Sequence, residues 1–225
     1  MTDTRSRILA VSLALFNQQG ERNVSTNHIA ESLGISPGNL YYHFRNKGDI
    51  IYQLFQQYRA SVENFLTLPQ GRALTWQDKM DYLAAILKSM WETRFLHRDL
   101  PHLLQQDERL QQEYRAFVDA ALARALVVYQ GLRSADLLQA SDEELRALLI
   151  NTWVLAASWS SFVHGLVPAS LSDEPLAQRL LQQGIYQIVC LEAPYLRNEA
   201  ARHLGSLRQK FQQGDTIELL FGTRP

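Results

Sequence analysis

Apolar residues recur at Ile8, Val11, Leu15 and Phe16, the spacing of one helical face, behind Thr2 or Asp3 as a cap, and Gly20 stops the run. A second start follows at Ser25, whose hydroxyl can accept a backbone N–H. Ile29, Ala30 and Leu33 then make a short apolar face before Gly34. Ser36 offers a third cap, and Pro37 suits the first helical position because its missing N–H would be unpaired there anyway. A fourth, longer pattern runs from about 46 to 68 through Ile50, Ile51, Leu54, Phe55, Tyr58, Val62 and Phe65, and Pro69 and Gly71 end it.

Beyond residue 71 the period stays helical. Thr75 caps a helix through Met80, Leu83, Leu87, Met90 and Trp91 that reaches towards Phe95, and Pro101 opens a short one. A further helix covers about 107–132. Ser141 to Glu144 reads as a capping box, its acids belonging to the positive end of a helix rather than to catalysis. The helix they start carries no Asp, Glu, Lys or Arg from 147 to 172 and must be buried on more than one side. Asn151, Thr152, Ser158, Ser160, Ser161 and His164 interrupt it too often for a membrane span. Another helix runs from about Ser172 to Val189, and one more from about Tyr195 to Gln213. The tail 214–225 is apolar at Ile217, Leu219, Leu220 and Phe221, with no assigned role.

This pattern predicts an all-α chain with a three-helix helix-turn-helix domain at 1–48 and a larger helical bundle at 49–225, the 46–68 helix linking the two. In a helix-turn-helix the later helix lies in the major groove and its first residues meet base edges. Here those are Pro37, Gly38 and Asn39, following the cap Ser36. Gly38 permits close approach and Asn39 can pair donor and acceptor with adenine. Tyr41 and Tyr42 carry hydroxyls able to reach phosphate or sugar, with His43 and Lys47 as further backbone contacts. No Asp or Glu occurs from 32 to 48, so this surface is locally positive.

The run Ser25-Thr26-Asn27-His28-Ile29-Ala30, then Gly34-Ile35-Ser36 and Leu40-Tyr41-Tyr42-His43-Phe44 with Lys47, resembles the TetR family of bacterial transcriptional regulators. The resemblance covers roughly the first fifty residues. It implies that Thr26 and Tyr41 touch phosphates, that Asn27 and Asn39 are placed for base contact, and that Lys47 anchors the start of the next helix on the DNA backbone. Where many relatives have an acidic residue just after the lysine, this chain has Gly48 before Asp49, which bears on anchoring and not on fold. The family also implies repression relieved by a ligand, and two subunits joined by their last long helices in a four-helix bundle.

Composition narrows the function. The net charge of −1 excludes a protein that coats polyanions generally, so DNA contact must be confined to one face. The single cysteine, Cys190, excludes an intramolecular disulfide and supplies no zinc set. No His follows a Glu by three residues, and phosphate loop, zincin and nucleophile-elbow motifs are absent, so the reading is a non-enzyme needing no cofactor. Nothing at the amino terminus resembles a secretion signal, and the expected compartment is the cytoplasm.

The expected partners are double-stranded operator DNA, a second copy of the chain and an unknown small-molecule effector, with no membrane. Trp91, Phe95, Tyr114, Phe117, Trp153 and His164 are the expected lining of a largely apolar effector cavity. Ala156, Trp159, Val163, Leu181, Ile185 and Ile188 are the expected dimer interface, since a two-fold axis repeats one patch against itself. The alternative is a helical scaffold or interaction protein whose helix-turn-helix does not read DNA.

Overall fold

In the computed structural model of the chain, which describes residues 3–166 and 174–212, the apolar periods resolve into ten α-helices joined by short turns, with no strand among the described residues. They are α1 (Thr4–Gln19), α2 (Thr26–Leu33), α3 (Pro37–His43), α4 (Lys47–Phe65), α5 (Trp76–Glu92), α6 (Arg94–Gln106), α7 (Glu108–Ser134), α8 (Asp142–Leu166), α9 (Glu174–Glu192) and α10 (Asn198–Gln212). Two compact units divide them. The first is Met1–Ser61 with Glu92–Phe117, and the second Val62–Trp91 with Val118–Pro225. The unit that contains the helix-turn-helix therefore extends past residue 48, and α4 and α7 each contribute to both units. The tail 214–225 lies outside the described residues.

In the first unit, Ile8 and Phe16 of α1, Ile29 of α2, Leu40 of α3, and Ile50 and Leu54 of α4 are fully enclosed, so every helix of the motif gives its apolar face to one core. Polar side chains fasten the ends of these helices. Asn17 is nearly buried; its Oδ1 accepts the Phe95 N–H at 3.1 Å and its Nδ2 donates to the Glu92 carbonyl at 2.7 Å. This caps α6 from a residue far back in sequence, because Thr93 makes no side-chain cap of its own. The sequence expectation of one helix reaching Phe95 and a fresh start at Pro101 is corrected here. The break falls at Thr93, and Pro101 sits inside α6.

The aromatic cluster of the first unit includes a histidine ring. Tyr58 packs edge-on to both His97 and Phe117, with centroids 5.3 and 5.4 Å apart. His97 keeps partial exposure, yet its Nε2 is enclosed without a hydrogen-bond partner. Burial holds its pKa down at about 4, against an ordinary 6.5. The unfolded chain therefore takes up the proton first as pH falls. The stability this ring contributes is complete above pH 6.5 and is lost between pH 6.5 and pH 4, a change of about 3 kcal/mol. His97→Phe should flatten the urea-midpoint profile across that window. An unaltered profile would show that the ring is not held neutral.

In the second unit α8 and α9 meet at close range. The indole N–H of Trp159 donates to the Leu180 carbonyl at 2.8 Å, and Trp159, Val163, Leu176 and Leu180 form one buried cluster with Trp91 against it. Gly184 makes room for that ring: a Cβ there would lie 2.8 Å from Trp159 Nε1 and 2.9 Å from Cδ1. Overpacking of this kind costs about 1–3 kcal/mol, so Gly184→Ala should lower stability by that amount in chemical denaturation. No loss would mean that the indole has another place to go.

Candidate nucleic-acid interface and ligand cavity

Two capped helix starts build the first candidate site. Ser25 Oγ accepts the His28 N–H at 3.2 Å while His28 Nδ1 accepts the Ser25 N–H at 3.4 Å, a reciprocal capping box that fixes the entry to α2. Gly34 closes α2 in the left-handed region, φ 66°, which a residue with a Cβ adopts only at a cost. Ser36 Oγ then accepts the Asn39 N–H at 3.2 Å, and Pro37 occupies the first turn of α3.

The surface so produced exposes Asn27, Ser36, Pro37, Gly38, Asn39, Tyr41 and Tyr42. Tyr42 is 85% exposed, an uncommon state for a large ring, and His43, half-buried, meets its edge at a centroid distance of 5.1 Å. Leu40 and Phe44 are core. The structure joins Thr26 to Tyr41 across the two helices, hydroxyl to hydroxyl at 2.9 Å. That bond holds both oxygens at one place on the exposed face and fixes the rotamer of Tyr41.

Lys47 is placed differently from the sequence expectation. Its ammonium lies 2.6 Å from Glu21 Oε1 and donates to the Glu21 and Val24 carbonyls, each at 3.1 Å. Three donors meet three acceptors, which satisfies the group within the protein. Lys47 therefore holds the turn before α2 and has no donor left for a phosphate. An exposed cation nearby is Arg45, which the sequence reading passed over. Its signal was available: it lies in the stretch without acids and just past the Phe44 that ends α3.

The second unit contains an apolar cavity of about 70 Å³. Val62 near the far end of α4 and Leu66 just past it contribute to its wall, with Met90 of α5, Ala125 of α7, Trp153 of α8 and Ile188 of α9. Of the residues expected there from sequence, Trp153 lines it, whereas Trp91 packs on the Trp159 cluster. Phe95, Tyr114 and Phe117 belong to the first unit. Phe95 packs at a tilt on Phe16, centroids 5.2 Å apart, and Tyr114 and Phe117 pack on Phe55 at 6.1 and 5.8 Å. The reason is ordinary: aromatic rings at helical spacing fill whichever core their helix faces. His164 lies on α8, with its side chain outside the described part.

The dimer expectation is also corrected in part. Ala156 and Ile188 face the cavity, and Trp159 and Val163 are enclosed within their own chain, so none of the four is available to a partner. Leu181 and Ile185 keep partial exposure. The apolar residues that α8 does expose are Ile150 at 55%, Val154 at 56% and Phe162 at 48%, which with exposed Ser158 fall on one ridge of four-residue steps. Sequence reading missed them because an apolar helix without charges does not reveal which side is covered.

At one edge of the cavity sits a buried polar group with no local signal in the chain. Lys79 of α5 and Glu192 at the end of α9 are 4% and 0% exposed, with Nζ 2.6 Å from Oε2. Tyr129 donates its hydroxyl to Glu192 Oε1 and lies 3.1 Å from the Thr152 hydroxyl. Burial, first, and then the Glu192 carboxylate push the Tyr129 phenol well above its ordinary value, so it stays protonated as a donor. Among the described residues no group of His, Cys, Asp and Glu is arranged to hold a metal, and no helix is long and apolar enough to cross a membrane.

A capped helix-turn-helix, joined through a continuous helix to a separate helical unit with its own cavity, is the architecture of a helical regulator. Comparison with known proteins agrees. Residues 8–54 match the family described as bacterial regulatory proteins, tetR family, and residues 57–204 match that described as bacterial transcriptional repressor. A TetR-family transcriptional regulator from Marinobacter aquaeolei VT8 is 43% identical over 93% of this chain and 99% of its own, with a TM-score of 0.83. An HTH-type transcriptional regulator of Staphylococcus aureus strain USA300 is 42% identical over 55 residues, 24% of this chain, and the match spans only 30% of that relative's length. SmeT in complex with triclosan shares the fold, at 18% identity and a TM-score of 0.58 over 88% of this chain and 93% of its own. The chain belongs to the TetR family of bacterial transcriptional regulators, a family of transcription factors and not of enzymes.

Proposed function

We propose that this protein is a cytoplasmic repressor that binds a near-palindromic operator as a homodimer and leaves it when a small, largely apolar ligand enters the second unit. The observation that carries the DNA reading is the exposed row at the start of α3. Pro37, Gly38 and Asn39 are open on a capped helix while Leu40 behind them is buried. A helix presented in this way meets base edges with its first turn. Asn39 and Asn27 are assigned to bases, Tyr42 to the backbone or a thymine methyl, and Thr26 with Tyr41 to one phosphate. Ser36 and His43 flank them, and Arg45 takes over the phosphate contact that the pairing of Lys47 forecloses.

Dimerisation is assigned to Ile150, Val154 and Phe162 of α8 with Leu181 and Ile185 of α9, which matches the four-helix bundle that the family resemblance implies. Ligand release follows from α4. Val62 and Leu66 border the cavity, and the same helix begins at Lys47, which fastens the turn before α2. The cavity is small beside ligand sites of about 300 Å³ and more, so a ligand must displace its walls to enter. It releases DNA only by favouring the arrangement that fits the operator less well. SmeT with triclosan is an instance of this fold holding a small aromatic compound.

Asn39→Ala and Tyr42→Ala test the DNA surface. Each should weaken operator binding by about 1–3 kcal/mol, Asn39→Ala relaxing preference at one base pair. Arg45→Ala should weaken all sequences alike and lower the slope of log affinity against log salt by about one. Operator affinity unaltered in all three folded variants would remove the assignment and favour the scaffold alternative.

A further inference from the structure

Resting on the DNA reading above, we infer that Arg5, on the first turn of α1, is a further DNA-contacting residue whose guanidinium, seated on the Phe44 ring at the end of α3, grips a backbone phosphate. This brings into the interface a helix to which the sequence reading assigned no contact. The Arg5 guanidinium carbon lies 5.0 Å from the centre of the Phe44 ring. Phe44 follows the last residue of α3 and is 3% exposed, so the core holds its ring in place as a seat. Arg5 itself is exposed. A cation on a ring is held by the charge distribution of the ring face, and the contact requires none of the five N–H donors of the guanidinium. Among the described residues no carboxylate pairs with Arg5. The group is therefore placed while its donors stay open, the reverse of Lys47, whose donors are spent on Glu21 and Val24.

Helix α1 has no use of its own for a cation at this position. The first turn of a helix is the positive end of its dipole, where Asp or Glu stabilises and Arg does not. Here the first turn holds no acid, and Asp3 before it makes no side-chain cap. Arg5 thus adds charge to an end that is already positive, which works slightly against the helix and in favour of a phosphate. Arg7 supplies the contrast. It is equally exposed and lies two positions along, on another side of α1, but no ring seats it.

The seat also lies beside the phosphate contacts already assigned. Tyr41 precedes Phe44 by three residues, Arg45 follows it directly and is exposed, and no acid occurs from 32 to 48. A guanidinium presents its N–H groups as a planar fork that matches two phosphate oxygens at once, which a lysine ammonium cannot do. Phe44 is then a positioning residue: it touches no DNA and fixes where the fork stands. Because phosphates carry no base identity, Arg5 adds affinity and register to the complex and leaves base preference to Asn27 and Asn39.

Fluorescence anisotropy of the full-length protein on two labelled duplexes, one enriched from a random pool by the wild type and one of the same composition scrambled, tests this over a series of salt concentrations. Arg5→Gln should weaken both duplexes by a similar factor, about tenfold, and lower the slope of log affinity against log salt by about one for each Arg5 on the DNA. Arg7→Gln, which removes the same charge from the same helix, should change affinity less than threefold and keep the slope. Phe44→Leu leaves an apolar side chain in the core without the ring. It should weaken DNA binding in the otherwise wild-type protein and have no further effect on DNA in the Arg5→Gln background. Equal effects of Arg5→Gln and Arg7→Gln would overturn the proposal, as would an Arg5→Gln protein that loses preference at one base pair, or a Phe44→Leu loss of the same size in both backgrounds. A wild type that enriches a duplex which Arg5→Gln binds unaltered refutes the role of Arg5 alone. A wild type that enriches none refutes the DNA reading together with it.

Discussion

Lys79→Met alone should destabilise the protein by about 3–5 kcal/mol, because it leaves the Glu192 carboxylate buried without its counterion. Met keeps the length of the lysine stem, so the loss is not a packing effect. The double variant Lys79→Met with Glu192→Leu removes both charges and should recover most of the stability, although it leaves the Tyr129 hydroxyl to find a new partner. Urea unfolding at one fixed protein concentration measures all three species. The coupling between the two positions should exceed about 2 kcal/mol, as for contacting groups in one network. A single variant costing under 1 kcal/mol would mean that water reaches the pair.

The second large effect concerns assembly. Val154→Glu combined with Phe162→Glu places four like charges across a two-fold axis, two from each copy, on the ridge assigned to the partner. The doubly substituted protein should sediment as a monomer while keeping its helical signal. Operator affinity should fall on the order of a hundredfold or more, since the second reading head no longer binds at high effective concentration. A variant that remains dimeric would move the interface away from this face of α8.

The capped helix-turn-helix was legible in the sequence because its signals are local. A cap at Ser25, a glycine at 34, a cap at Ser36 and a proline after it lie within a dozen residues, and each acts on the backbone next to it. The helix-rich second half was legible as a class for the same reason, from its apolar period. The misreadings arose where the deciding contact is distant. Lys47 reads as a free cation in sequence and is spent on Glu21 and Val24, more than twenty residues earlier. Lys79 and Glu192, 113 residues apart in the chain, carry no local sign that they meet in the interior. Phe95 and Phe117 have the spacing of either a cavity wall or a core, and only the helix they face decides between them.

The same limit explains the two sides of α8. Trp159 and Val163 look like interface residues in a helix without charges, yet the gap opened by Gly184 on α9 draws the indole inward. Ile150, Val154 and Phe162 are left outside instead. A hydrophobic period shows that a face is apolar and cannot show whether the chain itself or a second copy covers it.

Selection of binding sites from a random duplex DNA pool by the purified protein, at two salt concentrations, tests the central claim most directly. Enrichment of one near-palindromic site is expected, with half-sites about one DNA turn, roughly 34 Å, or a multiple of it apart. Binding to it should weaken steeply at the higher salt as released counterions lose their advantage. A folded dimer that enriches no sequence, or one whose binding is indifferent to salt, would contradict the account.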